Sequence, residues 1–306
     1  MKNQNNKLPP MVVLILAVLL AGYYALQPKQ EQGTGGTTTP TGPSGTFDAD
    51  KSLLKIQFLD VGQGDAVLVT SPEGKTMLYD GGRSTVKIKD YIAELGLTKL
   101  DIMAASHGDF DHINGLNEAV KLKPSYFINN GIAADTNAYR KLIKSVKAVK
   151  AQGIVATDRN IDLGSIKLHI LDIPKGLGKD DQNANSVGIL IQRGNFKAFL
   201  GGDSEKDTME GWLNEYRTQL KELSVYKSAH HGSPHNDNAE FLSAVSPEVV
   251  VIGVGPNNYG HPAREALDLY KKYAQHIYRT DKNGLVTIEV DPEGDYRVVP
   301  EKGREQ

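Results

Sequence analysis

The sequence predicts an α/β layered sandwich, two sheets covered by helices, on three observations. From residue 51 onward strand-like and helix-like segments alternate, the pattern that stacks sheets and helices around a buried core. Strand-length apolar runs occur in both halves of that region, enough to build two sheets. No internal repeat breaks the pattern, and about 250 residues suit one domain with enough apolar content for its core.

The elements follow in order. Residues 54–59, Leu-Lys-Ile-Gln-Phe-Leu, alternate with period two as a half-buried strand does. Gly62-Gln63-Gly64-Asp65 turns the chain into a strand at 66–69, and Ser71-Pro72-Glu73-Gly74 turns it again into 76–79. These three strands are expected to be antiparallel. Within 87–95, Ile88, Tyr91, Ile92 and Leu95 stand at helical spacing, and Gly96 supplies the stop. A strand is predicted at 100–105, a helix at 113–122, a strand at 126–128 and a longer amphipathic helix at 137–151. Strands at 154–157, 166–170, 186–192 and 197–200 precede a helix at 206–220. The last quarter places strands near 225 and at 249–253, a helix at 263–273, and strands at 277–278 and 285–290.

The first fifty residues read differently. Lys2 and Lys7 precede a continuous apolar run at 11–26, a basic stretch followed by a hydrophobic one, as in a signal peptide or signal anchor. The run is short against the roughly 20 residues that span a bilayer. Without a small-x-small cleavage pattern, cleaved and uncleaved forms both stay open. Residues 27–50 are rich in Gly, Thr and Pro and cannot bury enough apolar area to offset their ordering entropy, so they read as a flexible linker. The expected layout is a leader or anchor at 1–26, a linker at 27–50 and a catalytic domain at 51–306. That domain would lie outside the cell or on the outer face of its membrane, with the membrane as partner through the N-terminal segment and no obligate protein partner.

Composition narrows the chemistry. The net charge of −2 gives no global attraction to polyanions, so any phosphate substrate must be drawn locally. The absence of cysteine excludes disulfides, thiolate metal sites and cysteine nucleophiles, leaving imidazole and carboxylate as ligands. Six of the eight histidines fall around 107–112, 230–235 and 261, in loop-like segments beside Gly, Asp or Pro. The densest is Ser106-His107-Gly108-Asp109-Phe110-Asp111-His112, directly after the predicted strand at 100–105. If the backbone leaves that strand extended, 107, 109 and 111 point one way. His112 then covers another direction, as a site for two adjacent cations requires. Gly201-Gly202-Asp203-Ser204 and Ser228-Ala229-His230-His231-Gly232-Ser233, each near a strand end, could complete it.

These residues resemble the metallo-β-lactamase superfamily, and more nearly the ComEC-like hydrolase domains. The matches are Phe58-Leu59-Asp60-Val61-Gly62-Gln63-Gly64-Asp65-Ala66, Tyr79-Asp80-Gly81-Gly82, the 106–112 loop, Gly201-Gly202-Asp203, His230-His231-Gly232-Ser233 and Asn257-Asn258-Tyr259-Gly260-His261-Pro262, in the family's order. The resemblance implies a four-layer αββα sandwich, the metallo-β-lactamase fold. It implies His107, Asp109, Asp111 and His112 as metal ligands from the first loop, Asp203 as a bridging carboxylate, and a later histidine, His231 by preference, as the last ligand. His230 would then either support the ligands from outside or face the substrate, with Asp80 orienting the loop from behind. Two positions depart from the general superfamily pattern: Asp109 stands where a second histidine usually does, and Asn183, in Asn183-x-x-Ser186, replaces a histidine. Oxygen in place of nitrogen hardens one metal position and favours manganese there, with zinc at the position richer in imidazole. One or two divalent ions, zinc or manganese, are expected.

His261, at a loop-to-helix boundary, is expected to donate to a phosphoryl oxygen or to protonate a leaving group, the other reading being a cap on the following helix. Asp111, His230 and His261 are thus the expected catalytic groups. His169, on the Lys side of an alternating strand, is expected at the surface, and His235 could line the cleft. Arg140, Lys144, Lys147 and Lys150 read as a solvated helix face. The expected activity is hydrolysis of a phosphodiester, extracellular DNA or a related one. The rivals are a phosphorylcholine or cell-envelope phosphoesterase, a lactonase, and a binding module that keeps its metal for stability.

Overall fold

A computed structural model describes residues 47–49 and 52–303. The apolar run at 11–26 and nearly all of the linker lie outside the described residues. Among the described residues no helix is long and apolar enough to cross a membrane.

The first sheet has eight strands in the order β15-β14-β1-β2-β3-β4-β5-β6. They are β1 (Leu54–Phe58), β2 (Val67–Thr70), β3 (Thr76–Tyr79), β4 (Ile102–Ala104), β5 (Tyr126–Asn129), β6 (Gln152–Val155), β14 (Val286–Val290) and β15 (Tyr296–Pro300). The second has seven, β13-β12-β11-β10-β9-β8-β7, with β7 at Arg159–Leu163, β8 at Ile166–Ile170, β9 at Ile189–Arg193, β10 at Phe196–Leu200, β11 at Val225–Lys227, β12 at Val249–Ile252 and β13 at His276–Arg279. The pairs β1–β2 and β2–β3 are antiparallel, as the turn chemistry predicts. From β3 to β6, and from β10 to β13, the strands run parallel.

Three apolar clusters define four layers. Ile56, Val67, Val69, Met77, Tyr79 and Ala104 meet Leu168, Ile189, Ile191, Ala198, Val225 and Val251 between the sheets. The alternate residues Leu68, Leu78, Met103 and Phe127 turn outward onto Ile88 of α1 (Thr85–Glu94), Leu116 of α3 (Leu116–Ala119) and Leu142 and Val146 of α4 (Asn137–Ala148). On the other side Leu190, Phe199, Tyr226 and Val250 pack against Met209, Trp212 and Leu213 of α5 (Lys206–Leu220), Phe241 and Leu242 of α6 (Ala239–Val245) and Tyr270 of α7 (Arg264–Tyr273). Strands covered on both faces read as continuous apolar runs rather than alternating ones, which is why β12 is Val-Val-Val-Ile. The helix–sheet–sheet–helix order is the four-layer αββα sandwich.

Two expectations are corrected. The helix expected at 113–122 is three short pieces, α2 (Phe110–Ile113), α3 and a 3-10 turn at Val120–Leu122. It breaks at Gly115, whose N–H donates to the Gly82 carbonyl at 2.9 Å while the Gly81 N–H donates to the His112 carbonyl at 2.7 Å. A side chain at Gly81 would lie 2.5 Å from the Leu116 nitrogen, so this approach needs glycine. Nor does the chain leave β4 extended throughout. Asp109 is the N-cap of α2, and Asp111 and His112 sit in that helical turn, which separates them from His107.

Candidate metal centre

The parallel strands set the site. Asp80 follows β3, the 107–112 loop follows β4, Asp203 follows β10, His230 and His231 follow β11, and His261 follows β12. These are carboxyl ends of strands, where open α/β sheets gather functional loops.

His112 is buried and held from both sides. Its Nδ1 lies 2.9 Å from Asp80 Oδ2, and its Nε2 lies 3.2 Å from Asp203 Oδ2. Asp80 also accepts the Ser106 N–H and Oγ–H, each at 2.7 Å, and reaches this position through a left-handed backbone with φ of 58°. His231 Nδ1 lies 2.8 Å from the Gly253 carbonyl, and its Nε2 is 3.5 Å from Asp203 Oδ2 and 3.7 Å from Asp111 Oδ2. Because carboxylate and carbonyl only accept, Nδ1 carries a proton in both rings. That leaves each Nε2 facing Asp203. The His107 Nδ1 contacts Ser106 Oγ at 2.8 Å, and its Nε2 is 3.6 Å from Asp109 Oδ2.

The Nε2 atoms of His107, His112 and His231 and the Oδ1 of Asp203 are buried without a hydrogen-bond partner. Buried polar atoms are rarely left so. One ligand atom each from Asp65, His112, Asp203 and His231 falls within 4.8 Å of the others. This buried Asp/His group is fit for a divalent cation, and its imidazoles carry the second hydrogen bond that metal-binding histidines need. Asp65 belongs on the outer side: its oxygens lie 3.5 Å from His231 Nδ1 and 3.8 Å from His112 Nδ1, atoms already engaged by Gly253 and Asp80. Asp203 alone meets the Nε2 sides of both rings.

Charges follow this geometry. Burial alone would raise the Asp203 carboxyl, but His112 and His231 hold it well below the usual carboxylate range. Burial works against charge on His112, yet Asp203 and Asp80 hold the ring well above the ordinary histidine value. Asp109 is lowered, first by the His107 ring beside it. The pattern is of anions and imidazoles stabilised only by one another.

The structure places the remaining sequence-derived candidates as follows. Asp109 and Asp111 are at the mouth, their side chains 49% and 21% exposed. His230 stands beside His231 with its Nε2 3.5 Å from Asp203 Oδ2. Its ring centroid is 5.5 Å from that of His261, which is 5.8 Å from the exposed Tyr259. His261 does not cap α7, whose N-cap is Ala263. The Asn257 side chain instead shapes the loop, accepting from the Tyr259 and His261 N–H groups and donating to the His261 carbonyl. Ser186 Oγ accepts the Asp203 N–H at 3.2 Å, and Asn183 Oδ1 is buried without a partner. His235 lines a separate cavity of about 280 Å³ with Glu205, Lys206, Asp207 and Asn236. His169 is not a free surface residue: its Nε2 lies 2.6 Å from Asp158 Oδ1 and its ring packs edge-on against Tyr216. Arg140, Lys144, Lys147 and Lys150 are exposed.

Two residues outside the candidate set join the site. Asp65 carries turn composition, and Lys227 is a lone cation in an apolar strand; the one signal was Asp65's place in the 58–66 motif.

A sequence profile of the Metallo-beta-lactamase superfamily matches residues 59–125, which hold Asp65, Asp80 and the 107–112 loop. The chain is 24% identical over 258 residues to ComE operon protein 3 of Bacillus subtilis, covering 76% of this chain and 32% of that protein. It is 25% identical over 235 residues to Competence protein ComA of Neisseria gonorrhoeae, covering 76% and 31%. These matches support a ComEC-like protein of the metallo-β-lactamase superfamily. The superfamily is generally one of metal-dependent hydrolases, and this chain spans about a third of the length of the curated relatives it matches. Among solved structures a CmlA beta-hydroxylase mutant shares the fold, with a TM-score of 0.52 at 12% identity over 93% of this chain and 60% of that one.

Proposed function

We propose that the protein is an exported or membrane-tethered, metal-dependent phosphodiesterase that acts on DNA or a related phosphodiester outside the cell. The observation that carries this reading is the convergence of two buried, unpartnered Nε2 atoms, those of His112 and His231, on Asp203, with a mouth lined by further carboxylates and imidazoles. His107, Asp109, Asp111, His112, Asp203 and His231 would hold one or two ions, zinc or manganese. When bound, such ions lower the pKa of a coordinated water and polarise a phosphoryl oxygen.

The chain's own groups do the rest. Burial, then the neighbouring His230, lowers His261, and burial lowers His230, so both rings are neutral near pH 7. A neutral imidazole is a poor acid for a leaving group and a suitable hydrogen-bond donor to a phosphoryl oxygen. His261 is therefore assigned to binding and orientation. Export is supported by Lys2, Lys7 and the apolar run at 11–26.

The test is metal analysis of the purified protein, then turnover with added manganese or zinc. The panel is bis(p-nitrophenyl) phosphate, single- and double-stranded DNA, p-nitrophenylphosphorylcholine and a lactone. Phosphodiester cleavage is expected, with kcat reduced more than about 100-fold in Asp203→Ala and His112→Ala. Turnover confined to the lactone or phosphorylcholine would overturn the substrate assignment. Bound metal with no turnover on any substrate would leave a binding module.

A further inference from the structure

Among the described residues Lys227 is the one Lys or Arg that is buried, with 0% of its side chain exposed. It ends β11 in the second sheet. Its ammonium pairs with Asp65 Oδ2, donates to the Gly202 carbonyl at 3.0 Å and lies 3.9 Å from Asp203 Oδ1. Asp65 precedes β2 in the first sheet and is bonded into the first-loop half of the site: its N–H donates to the Asp111 carbonyl at 3.3 Å, and its carbonyl accepts the Gly82 N–H at 2.7 Å. One ion pair thus joins the turn that carries Asp203 to the backbone that carries Asp111 and His112. Those are the two halves of the ligand set, one from each sheet.

A buried ion pair is seldom more stable than an apolar replacement of the same volume. A fixed positive charge 3.9 Å from Asp203 also repels an incoming cation. Neither stability nor attraction accounts for this lysine, whereas direction does, because both partners are bonded to backbone that aims ligands. We propose that Lys227 and Asp65 form an inter-sheet clamp that sets the spacing of the two ligand halves. They are positioning residues, not ligands, for a divalent cation at His112, Asp203 and His231. The inference rests on the reading of that cluster as a metal centre.

The test uses the full chain, with Mn²⁺ affinity measured by electron paramagnetic resonance titration and the thermal midpoint measured on metal-free protein. Lys227→Met and Asp65→Asn should each weaken Mn²⁺ binding at least about tenfold and lower the midpoint, since each leaves a buried group unpaired. The double variant should regain most of the midpoint, because no unpaired charge remains, yet still bind Mn²⁺ at least about tenfold more weakly than the natural protein. A double variant that binds as the natural protein does would reduce the pair to a structural element and overturn the clamp. Tighter binding by Lys227→Met would overturn it too, showing the ammonium to be a competitor of the ion. If Lys227→Met does not fold, Asp65→Asn and the double variant decide. A natural protein that binds neither Mn²⁺ nor Zn²⁺ removes the metal centre and the clamp together, whereas normal binding in all variants removes the clamp alone.

Discussion

Asp80 is turned to three protein donors, and its value lies in what it holds. One carboxylate fixes the Ser106 N–H, the Ser106 hydroxyl and the His112 Nδ1. Asp80→Ala should weaken metal binding about 10- to 100-fold and cost about 1–3 kcal/mol, as buried donors lose their acceptor. A metal titration and a denaturant melt check the two effects separately; unchanged affinity would show that His112 is oriented by something else. At this scale His107, His112, Asp203 and His231 were legible because metal-competent residues crowd short segments beside strands. His230 and His231 could not be separated in sequence, since their different burial comes from two consecutive left-handed residues, φ 46° and 56°, a conformation histidine seldom adopts. Asp65 stayed hidden because its meaning depends on Lys227, a partner far along the chain.

Turns, more than strands, give the elements their functional content. Gly202 has φ of 58°, and a Cβ there would lie 2.6 Å from Ser106 Cβ and 3.0 Å from Ser186 Oγ, so the turn after β10 can nest between the other two segments only as glycine. Gly202→Ala should destabilise by about 1–3 kcal/mol and loosen metal binding with it, read by denaturation and titration on the same preparation. The turn after β11 is underpinned by Asp237, which accepts the Tyr226 and Tyr270 hydroxyls, each at 2.6 Å, and the Ala229 N–H. Burial raises the Asp237 carboxyl above its ordinary value, so the folded state holds its proton more tightly than the unfolded one. Its contribution is full below the unfolded value of about 4 and is lost as pH rises through the folded value. The stability of the natural protein minus that of Asp237→Asn should therefore fall from pH 4 toward neutrality; a rising difference would refute the shift. Two strands escaped the sequence for reasons of the same kind. β7, Arg-Asn-Ile-Asp-Leu, has little strand propensity and is imposed by pairing with β8. β15 is an edge strand that ends in Pro300, which a central strand would not tolerate.

Neither sheet holds the whole site. The first supplies Asp80 and the 107–112 loop, the second Asp203, His230, His231 and Lys227, and the apolar cluster from Leu54 to Val298 lies between the two. The layers were legible because every strand must hide one or both faces, which period and composition reveal. Strand order was not, because hydrogen-bonded neighbours leave no periodic mark, and β14 and β15 return to pair beside β1 from the far end of the domain. Ligands shared across a common core make the sheets one thermodynamic unit toward a cation. An ion bound only to the assembled protein stabilises it by about 2.7 kcal/mol at a free concentration 100 times its dissociation constant. Added manganese or zinc should thus raise the melting temperature of the described domain in a single transition, seen alike by the fluorescence of Trp212 in the second sheet's helical layer and by far-ultraviolet circular dichroism over the whole fold. A chelator should return both probes together to the metal-free midpoint. If the sheets unfolded separately, the metal would shift one probe and not the other, and the site would have to be assembled within one half of the molecule.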